Sequence, residues 1–238
     1  MSIRNKVALI TGGSKGIGYG IAEEMVRAGI NVAITSRSME NAKDAAQSLQ
    51  KLAAVEVLPI EADVKSWEDQ QKMVDQVINK LGAIDIVVAN AGVGHFATID
   101  DLSIEDWNDV IDTNLTGAFY TIKSSLEALT KSKGYFITIS SLAGTNFFPM
   151  GSAYNASKFG LVGFTQAVML DVRKRGIKVT TIMPGSVATY FNNHTPSPED
   201  AWKIQPEDIG QMVIDLLEMP ERTLPSKIEV RPSVPPSK

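Results

Sequence analysis

The chain has 238 residues, 44% of them hydrophobic, and a formal net charge of −4 from 23 Lys and Arg against 27 Asp and Glu. That length supports one sizeable α/β core, and mild acidity argues against a partner in duplex nucleic acid, whose phosphates need clustered cations. Cysteine is absent and only two histidines occur, His95 and His194, which excludes disulfides and thiolate chemistry and makes a metal site unexpected.

The start, Met1-Ser2-Ile3-Arg4-Asn5-Lys6, is charged, and the apolar run after it is too short for a secretory signal. No stretch approaches the ~18 apolar residues of a spanning helix, so a cytoplasmic protein with no membrane partner is expected. Strand patterns then alternate with helical ones. Val7–Thr11 reads as a strand, Gly16–Ala28 as a helix, Asn31–Ser36 as a strand and Met39–Leu52 as a helix. Val55–Ile60 and Ile84–Ala89 are strand patterns flanking a helical Trp67–Leu81. A long helix is predicted over Ile104–Thr130, then a strand at Tyr135–Ser140 and a helix over Tyr154–Lys174. Lys178–Met183, Glu207–Glu218 and Ile228–Arg231 complete the series as strand, helix and strand. The strands are β-branched and nearly continuous, as strands covered on both faces are. Pro59 inside the third suits the strand's end or an edge position. The alternation predicts one doubly wound Rossmann-fold domain over residues 1–238, with a parallel, seven-stranded sheet and ligands at the carboxyl ends of its strands. Residues 190–205 read as a substrate loop, and 232–238, with Pro232, Pro235 and Pro236, as an extended tail.

The first strand runs into Thr11-Gly12-Gly13-Ser14-Lys15-Gly16-Ile17-Gly18. Glycines there let the backbone approach a pyrophosphate, and the next helix offers free N–H groups and the positive end of its dipole. The spacing departs from the G-x-G-x-x-G fingerprint, so a tight strand–helix turn is the plainer alternative. A dinucleotide fold usually reads a ribose 2′-hydroxyl with a carboxylate ending the second strand. Here Ser36 takes that place, Arg37 follows, and Lys15 lies in the facing loop. Two cations and no carboxylate suit a 2′-phosphate, hence NADP(H); simple surface cations are the alternative.

Thr-Gly-x-x-x-Gly-x-Gly near the start resembles the short-chain dehydrogenase/reductase family, classical type. Further family motifs follow in order: Asp63-Val64, Asn90-Ala91-Gly92, Asn114, Ser141, then Tyr154-x-x-x-Lys158, then Pro184-Gly185 and Thr189. The resemblance spans about residues 5–231. It implies that Asp63 accepts from the adenine amino group, with an N-cap role as its alternative, and that Val64 packs the ring. It also implies that Asn90, Ala91 and Gly92 line the cofactor and tie strands together, and that Thr189 meets the carboxamide with Pro184, Gly185 and Val187 beside it. Tyr154 and Lys158 are implied to contact the cofactor as well. Asn114 is implied to hold a water that links Lys158 to solvent. Relatives pair their long helices, which implies a homodimer or homotetramer.

The chemistry follows from the residues. Tyr154 and Lys158, four apart, share a helix face. A phenol is a poor base near neutral pH, and an adjacent ammonium, together with the cationic nicotinamide of the oxidised complex, is expected to lower its pKa. Tyr154 can then give its proton to a carbonyl oxygen as hydride arrives, and Ser141 can stabilise the developing alkoxide. Ser140 is the rival serine, but alternation along a strand sends the two hydroxyls to opposite sides.

The expected activity is therefore hydride transfer between NADP(H) and a small carbonyl or secondary-alcohol substrate. A 3-oxoacyl-carrier-protein reductase is the alternative, with Lys131 and Lys133 as candidate cations near the mouth. A non-catalytic NADP(H) sensor is a third reading. Substrate contacts are expected from Val93–Thr98, Leu142–Ser152 and Ser186–Trp202, with His95, Phe147, Phe148 and His194 as candidates.

Overall fold

The computed structural model of the chain describes residues 3–235. Met1 and Ser2, and Pro236, Ser237 and Lys238 of the expected tail, lie outside the described residues. Seven strands form one parallel sheet in the order β3-β2-β1-β4-β5-β6-β7: β1 Val7–Ile10, β2 Asn31–Ser36, β3 Val57–Glu61, β4 Ile86–Ala89, β5 Tyr135–Ile139, β6 Lys178–Pro184 and β7 Lys227–Val230. The order reverses between β1 and β4, so the connections leaving their carboxyl ends run to opposite faces of the sheet and open a crevice there. Pro59 lies in β3, which pairs only with β2 and forms one edge, as its missing N–H requires.

Period-two alternation assigns each strand's side chains to two cores. In β1, Ala8 and Ile10 join Ile21, Met25, Ile34 and Val213 on one face. Val7 and Leu9 join Met73, Val77, Phe136 and Leu161 on the other. Helices α1 (Gly16–Arg27), α2 (Met39–Gln50) and α7 (Pro206–Glu218) cover the first face; α3 (Trp67–Leu81), α5 (Gly117–Ser132) and α6 (Ser152–Val172) cover the second. Each fully buried Leu, Ile or Phe contributes ~1.5–3 kcal/mol relative to exposure.

Serine hydroxyls start several helices. Ser38, Ser66 and Ser103 accept from the N–H of Asn41, Asp69 and Asp106 at 3.3, 3.1 and 3.0 Å, ahead of α2, α3 and α4 (Ile104–Ile111). Ser66, not Asp63, therefore caps α3. Gly20, which spoils the glycine fingerprint, serves packing: a Cβ there would lie 2.4 Å from the carbonyl carbon of Pro206, so α1 and α7 meet backbone to backbone.

The long helix predicted over Ile104–Thr130 is interrupted. After α4 the chain makes a π-helical stretch, Asp112–Thr116, before α5 begins. The wider turn carries Asn114 and turns its amide inward, where it is 1% exposed. Among the described residues, no helix is long and apolar enough to cross a membrane.

Candidate active site

The carboxyl ends of β1, β4, β5 and β6 gather most of the residues singled out by sequence. At β1, Gly12 and Gly16 have φ of +64° and +58°, left-handed conformations that favour glycine. A Cβ on Gly18 would lie 2.4 Å from both the Asn90 Nδ2 and the Gly12 carbonyl oxygen, so this turn tolerates no side chain. Asn90 Nδ2 donates to the main-chain oxygens of Thr11 and Gly12 at 2.9 and 3.0 Å. The Asn90 and Ala91 N–H groups donate to Thr11 Oγ1 at 3.1 and 3.2 Å. The expected tie between strands is thus made by Asn90 and Thr11. Ile17 packs against the core, and Ser14 lies half-buried in the turn.

Ser36 ends β2, and its hydroxyl accepts from the Ser38 N–H at 3.3 Å. Arg37 and Lys15 are both exposed. Asp63 Oδ1 accepts from the Lys65 N–H at 2.9 Å, which fixes the turn after β3, and Val64 is buried. Lys65 was not anticipated. Its Nζ pairs with Asp109 Oδ1 at 2.9 Å, and that hydrogen bond raises the lysine's pKa.

Tyr154 lies in the first turn of α6, and Lys158 one turn on, with its Nζ 5.6 Å from the phenol ring centroid. Lys158 is buried and donates to the main-chain oxygen of Ile139, at the end of β5, at 3.0 Å. Burial lowers its pKa to about 8. Burial also pushes the Tyr154 phenol up to about 12, against the lowering effect of its hydrogen bond with Ser141. The lowered phenol pKa expected from sequence is therefore not found in the chain alone; desolvation outweighs the lowering effect of Ser141. Ser141 caps a 3₁₀ turn, Leu142–Gly144, by accepting from the Ala143 N–H at 3.1 Å. Ser140 is engaged elsewhere: its buried hydroxyl donates to the Lys158 main-chain oxygen at 3.2 Å. Both serines lie past the end of β5 and both hydroxyls reach α6, so strand alternation does not send them to opposite sides as expected; their partners, Lys158 and Tyr154, distinguish them.

Asn114 Oδ1 accepts from the Val93 N–H at 2.8 Å, while Nδ2 donates to the Val93 oxygen at 2.9 Å and to Ser157 Oγ at 3.0 Å. Its amide therefore links the π-helical stretch, the loop after β4 and α6. Gly92 lies beside it. The position a Gly92 Cβ would take is 3.2 Å from Asn114 Oδ1 and 3.6 Å from Lys158 Nζ. Beyond β6, Pro184 is buried and Gly185 N–H donates to the Val230 oxygen at 2.8 Å. Val187 is half-buried and bridges to Ile204. Thr189 lies across from Gly16, whose Cβ would be 3.4 Å from the threonine Cβ.

The substrate candidates divide. Phe148 packs on Phe96 at 6.0 Å between ring centroids, and Phe96 packs on Tyr154 at 5.5 Å. Phe191 closes the group, 5.6 Å from Tyr154 and 6.3 Å from Phe96. Phe147 stands outside, 84% exposed. Neither histidine is placed in this ring group. His95 Nε2 lies 3.0 Å from Asp109 Oδ2 and its Nδ1 lies 3.5 Å from Asp106 Oδ1, both on α4. Burial opposes ionisation of Asp109, but hydrogen bonds from Lys65 and His95 hold its carboxyl below the ordinary value. His194 Nε2 lies 2.6 Å from Asp200 Oδ2, inside the 190–205 loop. Lys203 and then His194 hold the Asp200 carboxyl well below the usual range. Lys131 and Lys133 follow the last turns of α5 and precede β5, so they lie at the amino edge of the sheet, opposite the site. They cannot serve a carrier protein at its mouth. Phe96 and Phe191, which sequence reasoning did not single out, are isolated loop aromatics with no periodic pattern to mark them.

The family model described as short chain dehydrogenase matches residues 6–200. An uncharacterized oxidoreductase of Staphylococcus saprophyticus is 33% identical over 239 residues, spanning 98% of this chain and 99% of that protein. The structure of an alcohol dehydrogenase from the archaeon Thermococcus sibiricus, complexed with 5-hydroxy-NADP, superposes with a TM-score of 0.92 at 29% identity, covering 98% of this chain and 99% of that one. A metagenomic short-chain oxidoreductase in complex with NADP superposes with a TM-score of 0.86 at 28% identity, covering 99% and 100% of the two chains. Motif order, sheet order and these similarities agree: the chain belongs to the short chain dehydrogenase family of oxidoreductases.

Proposed function

We propose that the protein interconverts a carbonyl compound and its secondary alcohol using NADP(H), with Tyr154 as the proton carrier. The observation that carries this reading is the meeting of Tyr154, Ser141 and Lys158 at the carboxyl edge of the sheet, with the Ser141 hydroxyl near enough to lower the phenol's pKa and the ammonium one helical turn away.

The residues present fit a dinucleotide. Gly12 and Gly16 take left-handed conformations and Gly18 packs against Gly12 and Asn90, which makes a tight turn poor in side chains at the amino end of α1. Ser14 and Ile17 lie on this turn and are assigned to the pyrophosphate side. Asp63, Val64, Ala91 and Gly92 are assigned to the adenosine half and the floor, and Pro184, Gly185, Val187 and Thr189 to the carboxamide half. Ser36 takes the place of the carboxylate that would read a ribose hydroxyl, and Arg37 and Lys15 are both exposed. The NADP and 5-hydroxy-NADP complexes of the structural relatives support the same choice.

When bound, the cofactor supplies or accepts a hydride at the carbinol carbon, NADPH becoming NADP⁺ in the reducing direction. In that direction Tyr154 gives its proton to the carbonyl oxygen, and its raised pKa keeps the proton in place until the oxygen develops charge. Ser141 hydrogen-bonds the same oxygen. Lys158 lowers the cost of the transient phenolate. The space above Gly92, between Asn114 Oδ1 and Lys158 Nζ, has the polar walls that hold a water and would let Lys158 exchange protons with solvent. The helix pair α5 and α6 presents Phe119, Phe159 and Leu170, 43%, 41% and 55% exposed, and this face is assigned to a homodimer or homotetramer.

Titration calorimetry with NADPH and NADH tests the cofactor assignment. Each charge-assisted hydrogen bond to a phosphate contributes ~1.5–3 kcal/mol, less where solvent reaches it, and each ~1.4 kcal/mol is tenfold, so NADPH is expected to bind ~10²-fold tighter. Ser36→Asp combined with Arg37→Ala is expected to remove most of that preference. Equal affinity of the wild type for the two cofactors would refute it.

A further inference from the structure

The chemistry of the substrate can be read from the walls around Tyr154. Three phenylalanines from three different loops converge on the phenol. Phe96 and Phe191 face Tyr154 at 5.5 and 5.6 Å, and Phe148 backs Phe96 at 6.0 Å. Such tilted ring pairs are favourable beyond their buried area, and they hold a surface suited to another flat ring.

The group has seats built for it. A Cβ on Gly94 would lie 2.5 Å from Phe191 Cζ, and one on Gly151 would lie 2.5 Å from Phe148 Cε2. Neither glycine has a positive φ. The backbone therefore needs no glycine at these positions; the rings do, joined at Gly151 by the Asn155 amide oxygen, 2.7 Å from the position of the Cβ.

Charge is absent where a charged substrate would need it. The segments Val93–Thr98, Leu142–Ser152 and Ser186–Trp202 contain no Lys or Arg. His95 is held by Asp106 and Asp109, and His194 by Asp200. Lys203, just beyond, is tied to Asp200 as well. A carboxylate or an acidic carrier entering here would lose its water without gaining a cation.

We propose that the site takes an uncharged carbonyl compound bearing an aromatic or similarly flat apolar group beside the carbonyl, packed against the ring face that Phe96, Phe148 and Phe191 build beside Tyr154. This rests on the reading of Tyr154 as proton carrier, because the rings select what that phenol reaches. Carboxylated 3-oxo acids and 3-oxoacyl thioesters of an acidic carrier fall outside the class.

The test compares NADPH-dependent reduction of acetophenone, 2-butanone and acetoacetate by the wild type, Phe191→Ala and Gly94→Ala. Acetophenone is expected to exceed acetoacetate in kcat/KM by ~10²-fold, the scale set by an unpaired polar group in a built site. Phe191→Ala is expected to lower the acetophenone-to-2-butanone ratio ~10-fold, the scale of a lost aromatic pair and its burial. Gly94→Ala, whose methyl would displace the far end of the Phe191 ring at 2.5 Å and press on the Phe96 ring at 3.0 Å, is expected to lower the ratio in the same direction. Acetoacetate reduced as well as acetophenone, or a ratio unmoved by both variants, would overturn the proposal and leave the oxidoreductase reading intact. Saturation-transfer NMR with 1-phenylethanol separates the two claims. Binding that Phe191→Ala abolishes, in a protein that reduces nothing, would sustain the aromatic site and remove the oxidoreductase reading. No binding by the wild type would overturn the aromatic site.

Discussion

Lys158 Nζ donates to the main-chain oxygen of Ile139 at 3.0 Å, which joins α6 to the last residue of β5 through a buried ammonium. That bond compensates part of the desolvation that takes the lysine from 10.5 to about 8. The unfolded chain therefore holds more protons at this group between pH about 8 and 10.5, and its contribution to stability rises with pH across that window. Below about 8 both states are charged and the folded state bears the full cost. Tyr154 acts oppositely: its pKa moves from 10.0 to about 12, so its contribution falls as pH rises through that range. Lys158→Met keeps the tyrosine and removes the lysine. Denaturant melts from pH 7 to 10.5 are expected to show wild type gaining stability relative to Lys158→Met as pH rises. A pH-independent difference would contradict the buried charge. Turnover by the variant is expected to collapse.

Gly92→Ala tests the space between Asn114 and Lys158. Its φ is not positive, so the backbone accepts alanine, but the new methyl would occupy the point 3.2 Å from Asn114 Oδ1 and 3.6 Å from Lys158 Nζ. Melting temperature is expected to change little, while turnover falls ~10-fold or more through loss of a positioned proton route. Rates equal to wild type across pH 6 to 9 would show that no water is needed there.

Assembly is expected through the outer face of α5 and α6. A Cβ on Gly163 would meet nothing within 4 Å, so that face is open to close approach by a second copy. Light scattering at micromolar concentration is expected to give a dimer or tetramer of the 25.7 kDa chain. A single species at the mass of one chain would remove this assignment and leave the chemistry standing.

Much of this was legible before any coordinates. The seven strands come from continuous β-branched runs, and Pro59 marked its own edge position. Tyr154, Lys158 and Ser141 come from the spacing of the resembled family; strand alternation does not sort Ser141 from Ser140, since both lie past the end of β5 and both reach α6. The π-helical stretch around Asn114 was not legible, because one widened turn leaves the apolar periodicity of a helix almost unchanged. The histidines read as loop residues because their partners are remote: Asp106 and Asp109 lie on α4, and Asp200 lies across a folded loop. Phe96 and Phe191 carried no signal at all, since a tertiary cluster of rings from separate loops has no period. The raised phenol pKa was missed because burial, unlike spacing, cannot be read from a motif.

The most direct measurement is the NADPH oxidation rate, followed by absorbance, of wild type and Tyr154→Phe with the same carbonyl substrate, alongside the NADPH affinity of each. The variant loses one oxygen from a ring still packed against Phe96 and Phe191, so fold and cofactor affinity are expected to persist. Turnover is expected to fall by ~10²–10⁴, the contribution of a positioned acid. A Tyr154→Phe enzyme that binds NADPH and reduces its substrate at near the wild-type rate would contradict the assignment of Tyr154 as proton carrier.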